Sequence, residues 1–335
     1  MTFKFIDLFA GVGGIRLAFD EVGGQCVFSS EWDRYAQKTY QANFGHLPNG
    51  DITKVQVQEI PSHNVLLGGF PCQPFSQAGH KKGFEDTRGT LFFDVARILD
   101  FHKPEMFLLE NVKGFLGHDK GNTFRVVKSL LEDLNYSVFH KVLNARDFGV
   151  PQNRERIYIV GIHKTKLGPF RFNFPTELSL PTKLGTILEE SVDSKYTLSD
   201  NLWEGHRRRK AQHKLKGNGF GYSIFNSESR YTSTISARYY KDGSEILVEQ
   251  LGKNPRKLTP REAARLQGFP DTFKIPVSDT QAYKQFGNSV AIPVIREIAH
   301  QMVEILLNPS ARKALDFWEQ QLLISRDSEP MVEMN

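Results

Sequence analysis

The sequence predicts an α/β protein that is built on a doubly wound sheet. Three observations support this prediction: an apolar strand pattern at residues 4–9, a glycine-rich turn at residues 10–14, and a helix pattern that continues to about residue 22. A strand, a glycine turn and a helix in this order open the doubly wound folds, whose ligands lie at the carboxyl ends of the strands. Strand and helix patterns keep alternating to residue 162. We therefore expect a ligand site along the strand ends.

The composition indicates a globular protein without membrane or disulfide signatures. The 335 residues correspond to about two domains, and 39% of them are hydrophobic. The two cysteines, Cys26 and Cys72, suggest neither a disulfide framework nor a metal-binding pair. The N-terminal residues lack a signal-peptide pattern, and no apolar run reaches the length of a membrane span. We expect a cytoplasmic protein that requires no metal and contacts no membrane.

Charge and composition divide the chain into four parts. Residues 1–163 and 257–307 carry the strand and helix patterns, and residues 308–335 form a polar tail. Residues 164–256 hold 16 Lys and Arg against 10 Asp and Glu, which exceeds the net charge of +5 for the whole chain. Short β patterns alternate there with glycine turns, Arg, Lys and Tyr, as in modules that bind nucleic acid. We expect a smaller, mostly β domain here, although a solvated basic surface has the same composition.

Three residues at predicted strand ends suit a nucleoside-like ligand. Glu31 follows the second strand, about 20 residues after the glycine turn, where doubly wound folds bind ribose hydroxyls. Trp32 could stack on a purine, and Asp51 could accept a hydrogen bond from an exocyclic amine. Ordinary turn-forming glycines and a helix-capping aspartate are the plainer alternatives.

A cysteine stands where the sequence predicts a rigid and exposed strand end. The apolar run at residues 65–67 passes into two glycines and then into Pro71-Cys72. A cysteine attacks as its thiolate, which nearby positive charge stabilises, and cationic side chains follow in the loop at residues 73–89. These features favour a nucleophile over a buried structural cysteine.

One glutamate and two arginines complete the candidate reactive groups. Glu110 ends the apolar strand predicted at residues 104–109, where partial desolvation should raise the pKa of its carboxyl group, as a general acid requires. Arg154 and Arg156 stand two residues apart at the start of a strand, so both should point to one side and hold an anionic or carbonyl-bearing ligand. A surface glutamate and a salt-bridged strand edge are the alternatives.

Five short motifs occur along the chain: FAGVGG at residues 9–14, PCQ at 71–73, ENV at 110–112, QNRER at 152–156 and GNSV at 287–290. In order and spacing they resemble the motifs of DNA (cytosine-5) methyltransferases, with the nearest resemblance to bacterial modification enzymes of the HhaI kind. The resemblance extends over almost all of residues 3–305 and leaves only the basic segment poorly matched.

The resemblance implies a Rossmann-like sheet that binds S-adenosyl-L-methionine as the methyl donor, with residues 164–256 as a target-recognition domain. Residues that match the family's motifs would hold this cofactor. They are Phe9, Gly11, Gly13, Glu31, Trp32, Asp51, Ile52, Phe70, Pro71, Asn288 and Ser289.

The resemblance also implies the chemistry and the substrate. The Cys72 thiolate would add to carbon 6 of a cytosine that is flipped out of duplex DNA. Glu110 would hold N3 and the amino group, and Arg156 with Arg154 would bind the carbonyl oxygen. DNA would be contacted by the loop at residues 73–89 and by the recognition domain. The residues concerned are Ser76, Lys81, Lys82, Arg88, Arg230, Thr234, Arg238, Tyr239 and Lys241.

The expected partners are double-stranded DNA and a cognate restriction endonuclease, and we expect the protein to act as a monomer. Three other functions fit parts of the sequence: a nicotinamide-dependent oxidoreductase, a DNA-binding protein without catalysis, and an RNA-acting member of the same family. An oxidoreductase explains the glycine turn but leaves Cys72, Glu110 and the arginines without a role. The basic segment favours duplex DNA over RNA, and the target sequence stays open.

Overall fold

The computed structural model describes residues 2–71, 91–168, 171–178, 180–219 and 221–307. The strands in these ranges are β1 (Phe3–Leu8), β2 (Gly24–Ser30), β3 (Val65–Gly69), β4 (Met106–Val112), β5 (Tyr136–Asn144), β6 (Glu155–His163), β7 (Ile224–Phe225), β8 (Leu247–Val248) and β9 (Arg256–Lys257). The α-helices are α1 (Gly14–Glu21), α2 (Arg34–Phe44), α3 (Leu91–His102), α4 (Asn122–Asp133), α5 (Lys164–Leu167), α6 (Asp200–Leu215), α7 (Pro260–Leu266), α8 (Asp279–Asn288) and α9 (Ile292–Leu307). None of the helices in the described ranges has the length and apolar character needed to span a membrane.

Within the described ranges, the large sheet has six strands in the order β2-β1-β3-β4-β6-β5. Strands β1 to β4 pair in parallel, β6 runs antiparallel to β4, and β5 runs antiparallel to β6. The parallel strands and their crossover helices confirm the predicted doubly wound α/β fold. The carboxyl ends of β1 to β4 and the amino end of β6 therefore lie along one side of the sheet, which we call the carboxyl edge.

Both faces of the large sheet are buried. In β4, Met106 and Leu108 pack on one face against α1 and α9, whereas Phe107 and Leu109 pack on the other face against α3 and α4. Side chains alternate between the two faces of a strand, so both faces need apolar residues when both are covered. This is why the strand reads as a continuous apolar run in the sequence.

Side-chain caps stabilise the starts of two helices. Asp33 caps α2, because its Oδ1 accepts hydrogen bonds from the backbone N–H groups of Tyr35 and Ala36. Thr259 and Glu262 form a capping box at the start of α7, each accepting from the backbone of the other. An N-cap of this kind contributes about 1 kcal/mol to stability.

Residues 164–256 differ from the prediction of a mostly β domain. Among the described residues of this segment, the strands are β7, β8 and the first residue of β9, each strand being two residues long. The longest element is the 16-residue helix α6, which the sequence did not predict. Only His206 of α6 is buried, so the helix carries no apolar periodicity from which it could be recognised.

Candidate active site

The glycine turn after β1 begins the candidate site at the carboxyl edge. Phe9, Gly11 and Gly13 all have positive φ, at 55°, 56° and 84°. This conformation is strained for Phe9, and strained residues of this kind concentrate at functional sites. A Cβ at Gly11 would meet no atom within 4 Å, whereas a Cβ at Gly13 would collide with the ring of Phe44. Gly11 therefore borders open space that a ligand can approach closely.

Glu31 holds the turn in place from the end of β2. Its Oε2 accepts a hydrogen bond from the Gly11 backbone N–H at 2.8 Å, and its Oε1 accepts from the Asp33 N–H at 2.7 Å. Burial raises the pKa of the Glu31 carboxyl group, although these two hydrogen bonds oppose the shift. Each carboxylate oxygen can accept more than one hydrogen bond, so Glu31 retains capacity for ligand hydroxyls.

The segment that carries Asp51 lies directly beside Glu31. The Glu31 backbone N–H donates to the carbonyl of Asn49 at 2.8 Å, which brings the two predicted cofactor residues together. Asp51 also caps the short helix Ile52–Lys54, because its Oδ1 accepts from the backbone and the hydroxyl of Thr53. Asp51 therefore both caps this short helix and lies at the predicted cofactor site.

The aromatic and apolar residues predicted to contact the cofactor have very different exposures. The Trp32 side chain is 81% exposed, whereas Ile52 and Phe70 are 3% and 4% exposed. Ile52 and Phe70 belong to the core between the sheet and α3, and their contact with the cofactor stays a prediction. The Phe70 ring packs in this core against the rings of Phe92 and Phe115.

The motif at residues 287–290 closes the glycine turn from the opposite side. Helix α8 ends at Asn288, which is exposed, and Ser289 follows it. The Ser289 hydroxyl lies 2.8 Å from the point where a Cβ on Gly14 would stand. This contact brings a distant part of the chain to the predicted cofactor site.

Glu110 and Arg156 form an ion pair at the carboxyl edge. Arg156 Nε lies 3.1 Å from Glu110 Oε1, and the two side chains are only 15% and 12% exposed. Burial raises the pKa of Glu110 despite the opposing positive charges of Arg156 and Arg154. The raised pKa confirms the prediction for a carboxyl group at this strand end.

The segment leading into Cys72 is fixed next to this pair. Glu110 stands opposite Gly69 in the pairing of β3 with β4. The buried Asn111 side chain donates a hydrogen bond from Nδ2 to the Phe70 carbonyl at 2.8 Å, and Pro71 is exposed. Sequence reasoning missed the role of Asn111, although an amide within an apolar strand was a signal. Cys72 itself, with Ser76, Lys81, Lys82 and Arg88, lies outside the described residues.

Residues 3–304 match the family model of the C-5 cytosine-specific DNA methylases. The chain belongs to this family. It is 64% identical over 306 residues to the Type II methyltransferase M.SsoII of Shigella sonnei, an alignment that covers 91% of this chain and 81% of that protein. It is 62% identical over 316 residues to the Type II methyltransferase M.NlaX of Neisseria lactamica, covering 93% and 99% of the two chains.

Solved structures share the fold of this methylase at much lower sequence identity. The S. pombe Dnmt2 methyltransferase matches with a TM-score of 0.74 at 19% identity, over 91% of this chain and 99% of that chain. The Entamoeba histolytica methyltransferase EhMeth matches with a TM-score of 0.72 at 21% identity, over 92% and 98% of the chains. The Rossmann-like methyltransferase sheet is thus confirmed for the methylase.

The two arginines predicted to act together have different surroundings in the methylase. Arg154 is buried, and its guanidinium group donates to the carbonyls of Ile235 at 3.2 Å, Gly287 at 3.1 Å and Ser289 at 2.6 Å. These bonds tie the start of β6 to Ile235 in residues 164–256, the predicted recognition segment, and to the motif at residues 287–290. Both Nη atoms of Arg154 are engaged with the backbone, and its Nε is buried without a partner among the described residues, so its contact with a substrate carbonyl stays a prediction, whereas Arg156 faces Glu110.

The residues predicted to read DNA separate into exposed and structural groups. Arg230, Arg238 and Lys241 are exposed, so their DNA contacts stay a prediction. The Thr234 hydroxyl donates to the carbonyl of Asn153, which holds the segment around Thr234 against the start of β6. Tyr239 is fully buried, and the prediction that it contacts DNA is wrong. Its hydroxyl donates to the carbonyl of Ile246 at 2.6 Å and accepts from the backbone N–H of Leu258 at 2.8 Å.

Proposed function

We propose that this methylase transfers the methyl group of S-adenosyl-L-methionine to carbon 5 of a cytosine in duplex DNA, through a covalent bond between Cys72 and the base. The observation that carries the proposal is the pairing of Glu110 with Arg156 beside the segment that leads into Cys72. While a nucleophile adds to a cytosine ring, an acid can protonate N3 and a guanidinium group can stabilise the negative charge on the carbonyl oxygen.

Cys72 activates the ring by adding to it. Carbon 5 of cytosine is a poor nucleophile because its electrons belong to an aromatic ring. When the Cys72 sulfur bonds to carbon 6, the electrons of the former 5,6 double bond shift toward N3 and leave an enamine at carbon 5. Once carbon 5 carries the methyl group, loss of its proton restores the double bond and expels the thiolate, which returns Cys72 to its starting state.

Glu110 and Arg156 handle the charge that this addition creates. Burial keeps a proton on the Glu110 carboxyl group to a higher pH than usual, so Glu110 can donate that proton to N3. The Arg156 guanidinium group can bind the carbonyl oxygen of the base as negative charge develops on it. The 3.1 Å contact between Arg156 Nε and Glu110 Oε1 holds both groups in position before the base arrives.

The residues at the glycine turn have the chemistry to hold S-adenosyl-L-methionine, which supplies an electrophilic methyl group when bound. Gly11 borders open space, and Glu31 beside it can accept hydrogen bonds from ribose hydroxyls. The exposed Trp32 ring offers a stacking surface for adenine, with Asp51 as an acceptor for its amino group. Ser289 limits the space from the other side.

Arg154 serves the reaction by position. Because it binds the carbonyls of Ile235, Gly287 and Ser289, it connects the recognition segment, the cofactor side and the strand that presents Arg156. We infer that binding of DNA and of cofactor each stabilise the arrangement that the other requires.

The substrate base must leave the duplex to reach these groups, because stacking shields carbon 6 inside a helix. The predicted DNA contacts are Ser76, Lys81, Lys82 and Arg88 on the loop after Cys72, and Arg230, Arg238 and Lys241 on the recognition segment. We propose that the protein works as a cytoplasmic monomer and forms the modification half of a restriction-modification system, a role that the names of its Type II relatives support. A cognate endonuclease would then cut the same unmodified sequence.

Bisulfite sequencing of a plasmid from cells that express the protein tests the proposal. The expected result is one short sequence in which the same cytosine resists conversion at every occurrence. Cells that express the Cys72→Ser variant provide the background, and an unmethylated plasmid with well-expressed wild-type protein would contradict the proposal.

A further inference from the structure

Helix α6 contributes little to the core of the protein. Of its 16 residues only His206 is buried, and most of the others are exposed. Six Lys and Arg lie between residues 207 and 216, against Asp200 and Glu204 as the only acids of the helix. Because α6 has no apolar face, core packing does not hold it in place. Its charged side chains are exposed, so the fold does not require them.

One side of α6 attaches it to the rest of residues 164–256. The Trp203 ring lies 4.7 Å from the ring of Tyr222, and Lys210 Nζ donates to the Tyr222 carbonyl at 3.0 Å. Arg209 forms a salt bridge of 3.1 Å with Asp242, the residue after Lys241. This side of the helix therefore rests on the same segment that carries the exposed Arg238 and Lys241.

The remaining cations of α6 are exposed to solvent. Arg207, Arg208 and Lys214 fall within an arc of about 120° around the helix, which we call the outward side, with Arg207 and Lys214 at its border beside the attached side. Within the described part of the chain, Arg208 and Lys214 form no salt bridge, and Arg207 pairs only with the exposed Glu204. A surface pair of this kind is worth about 0–1 kcal/mol, so it does not prevent Arg207 from binding another anion.

We propose that the outward side of α6, made of Arg207, Arg208 and Lys214, binds the phosphate backbone of the substrate duplex beside the bases that the recognition segment reads. This inference rests on the proposed function and adds a binding site to it. A rise of 1.5 Å per residue places the Cα atoms of Arg208 and Lys214 about 9 Å apart, a distance over which long side chains reach neighbouring phosphates. Duplex DNA carries about one negative charge per 1.7 Å of its axis, which suits a group of exposed cations.

Duplex DNA is favoured over other acidic partners by continuity with the recognition segment. The salt bridge from Arg209 to Asp242 fixes α6 against the loop of Arg238 and Lys241. A duplex bound by that loop would extend beyond the loop on both sides. Helix α6 lies beside the loop and can therefore reach the phosphate backbone that flanks the bound bases. Such contacts add affinity without adding sequence information.

The test compares two charge-matched triple variants of the full-length protein. The first is R207Q/R208Q/K214Q. The control is K103Q/K164Q/K166Q, which removes three exposed lysines at the opposite side of the large sheet from the carboxyl edge, before β4 and after β6. Thermal unfolding of both variants establishes that they fold.

The measurement is fluorescence anisotropy with a mixed-sequence duplex of about 40 base pairs, between about 50 and 200 mM salt. We expect the first variant to bind about 10-fold or more weakly at low salt, with a slope of log affinity against log salt that is shallower by about 2 to 3. The control should keep the wild-type slope, and R207K/R208K should recover most of the affinity because the contact is made by charge.

An unchanged affinity and slope in R207Q/R208Q/K214Q would overturn the proposal and assign these cations to solvent or another acidic partner. Equal losses in the control would also overturn it, because they would reflect net charge alone. Absence of methyl transfer in the wild-type protein would contradict the proposed function separately, since duplex binding is measured independently of it.

Discussion

The charged groups at the carboxyl edge of the large sheet are largely buried, whereas those on the outward side of residues 164–256 are exposed. At the carboxyl edge, Glu31 and Glu110 stand at strand ends, and burial raises the pKa of both carboxyl groups. In residues 164–256, Arg208, Lys214 and Arg238 stand on helix and loop surfaces in water. Groups that transfer protons need a desolvated and fixed position, whereas groups that bind phosphates act through charge that salt can screen. The two regions should therefore respond differently to mutation, pH and salt.

The largest effect is expected from Cys72→Ser, which should abolish methyl transfer and leave DNA and cofactor binding nearly unchanged. A serine hydroxyl at this position is not ionised near neutral pH and cannot add to carbon 6. Cys26→Ser is the matched control, because burial raises the pKa of the Cys26 thiol to about 12 and keeps it unreactive. Tritium transfer from labelled S-adenosyl-L-methionine measures the difference, and turnover by Cys72→Ser would remove Cys72 from its role.

Glu110→Gln should slow the chemical step by about 100-fold or more while changing DNA affinity much less. The wild-type rate should fall as the pH rises through the raised pKa of Glu110, because the carboxyl group must be protonated to donate to N3. The glutamine variant should lose this pH dependence. Single-turnover rates across a pH series measure it, with Glu155→Gln as the control, because Glu155 is an exposed partner of Lys113. An effect on affinity alone would refute the acid assignment.

Arg154→Lys should affect binding of both substrates together, because a single ammonium nitrogen cannot replace the two Nη atoms that donate to the carbonyls of Ile235, Gly287 and Ser289. We expect the KM values for DNA and for S-adenosyl-L-methionine to rise together, and the free energy of unfolding to fall by about 1–3 kcal/mol.

Arg261→Lys provides the control for this variant. Arg261 also donates to backbone carbonyls, those of Pro270 and Phe273, but it does not contact the recognition segment. It should lose stability without the joint rise in the two KM values. A loss of kcat alone in Arg154→Lys would instead indicate direct contact with the base.

The smallest effects separate two adjacent residues, Tyr239 and Arg238. Tyr239→Phe should lower the free energy of unfolding by about 1–2 kcal/mol, because the backbone groups of Ile246 and Leu258 lose their partner. Its DNA affinity should stay unchanged. Arg238→Ala should keep its stability and lose about 1–3 kcal/mol of discrimination between DNA sequences. Denaturant unfolding and competition binding measure the two, and the reverse pattern would contradict the assignment.

The residues of the carboxyl edge could be predicted from the sequence because local signals place them. An apolar run followed by a polar residue predicts a buried strand and the position of its end. This pattern places Glu31 and Glu110 at strand ends. Helix caps are equally local, since Asp33 and its backbone partners are within three residues of one another.

Other features could not be predicted because their cause lies far along the chain or has no pattern. The carbonyl partners of Arg154 are 81 to 135 residues away, so nothing nearby distinguishes it from Arg156. The sequence around Tyr239 is polar and predicts exposure, yet its hydroxyl is bound by Ile246, just before β8, and by Leu258, just after β9. Helix α6 shows no apolar period because almost none of it is buried.

The central claim is that sulfur bonds to the base before the methyl group is transferred, and one trapping measurement tests it directly. A duplex that carries 5-fluorocytosine at the methylated position cannot lose a proton from carbon 5, so elimination of the thiolate is blocked. With S-adenosyl-L-methionine present, the account predicts a protein–DNA complex that survives denaturing electrophoresis and is absent with Cys72→Ser. Failure to trap the wild-type protein, under conditions where it methylates the unfluorinated duplex, would contradict the account.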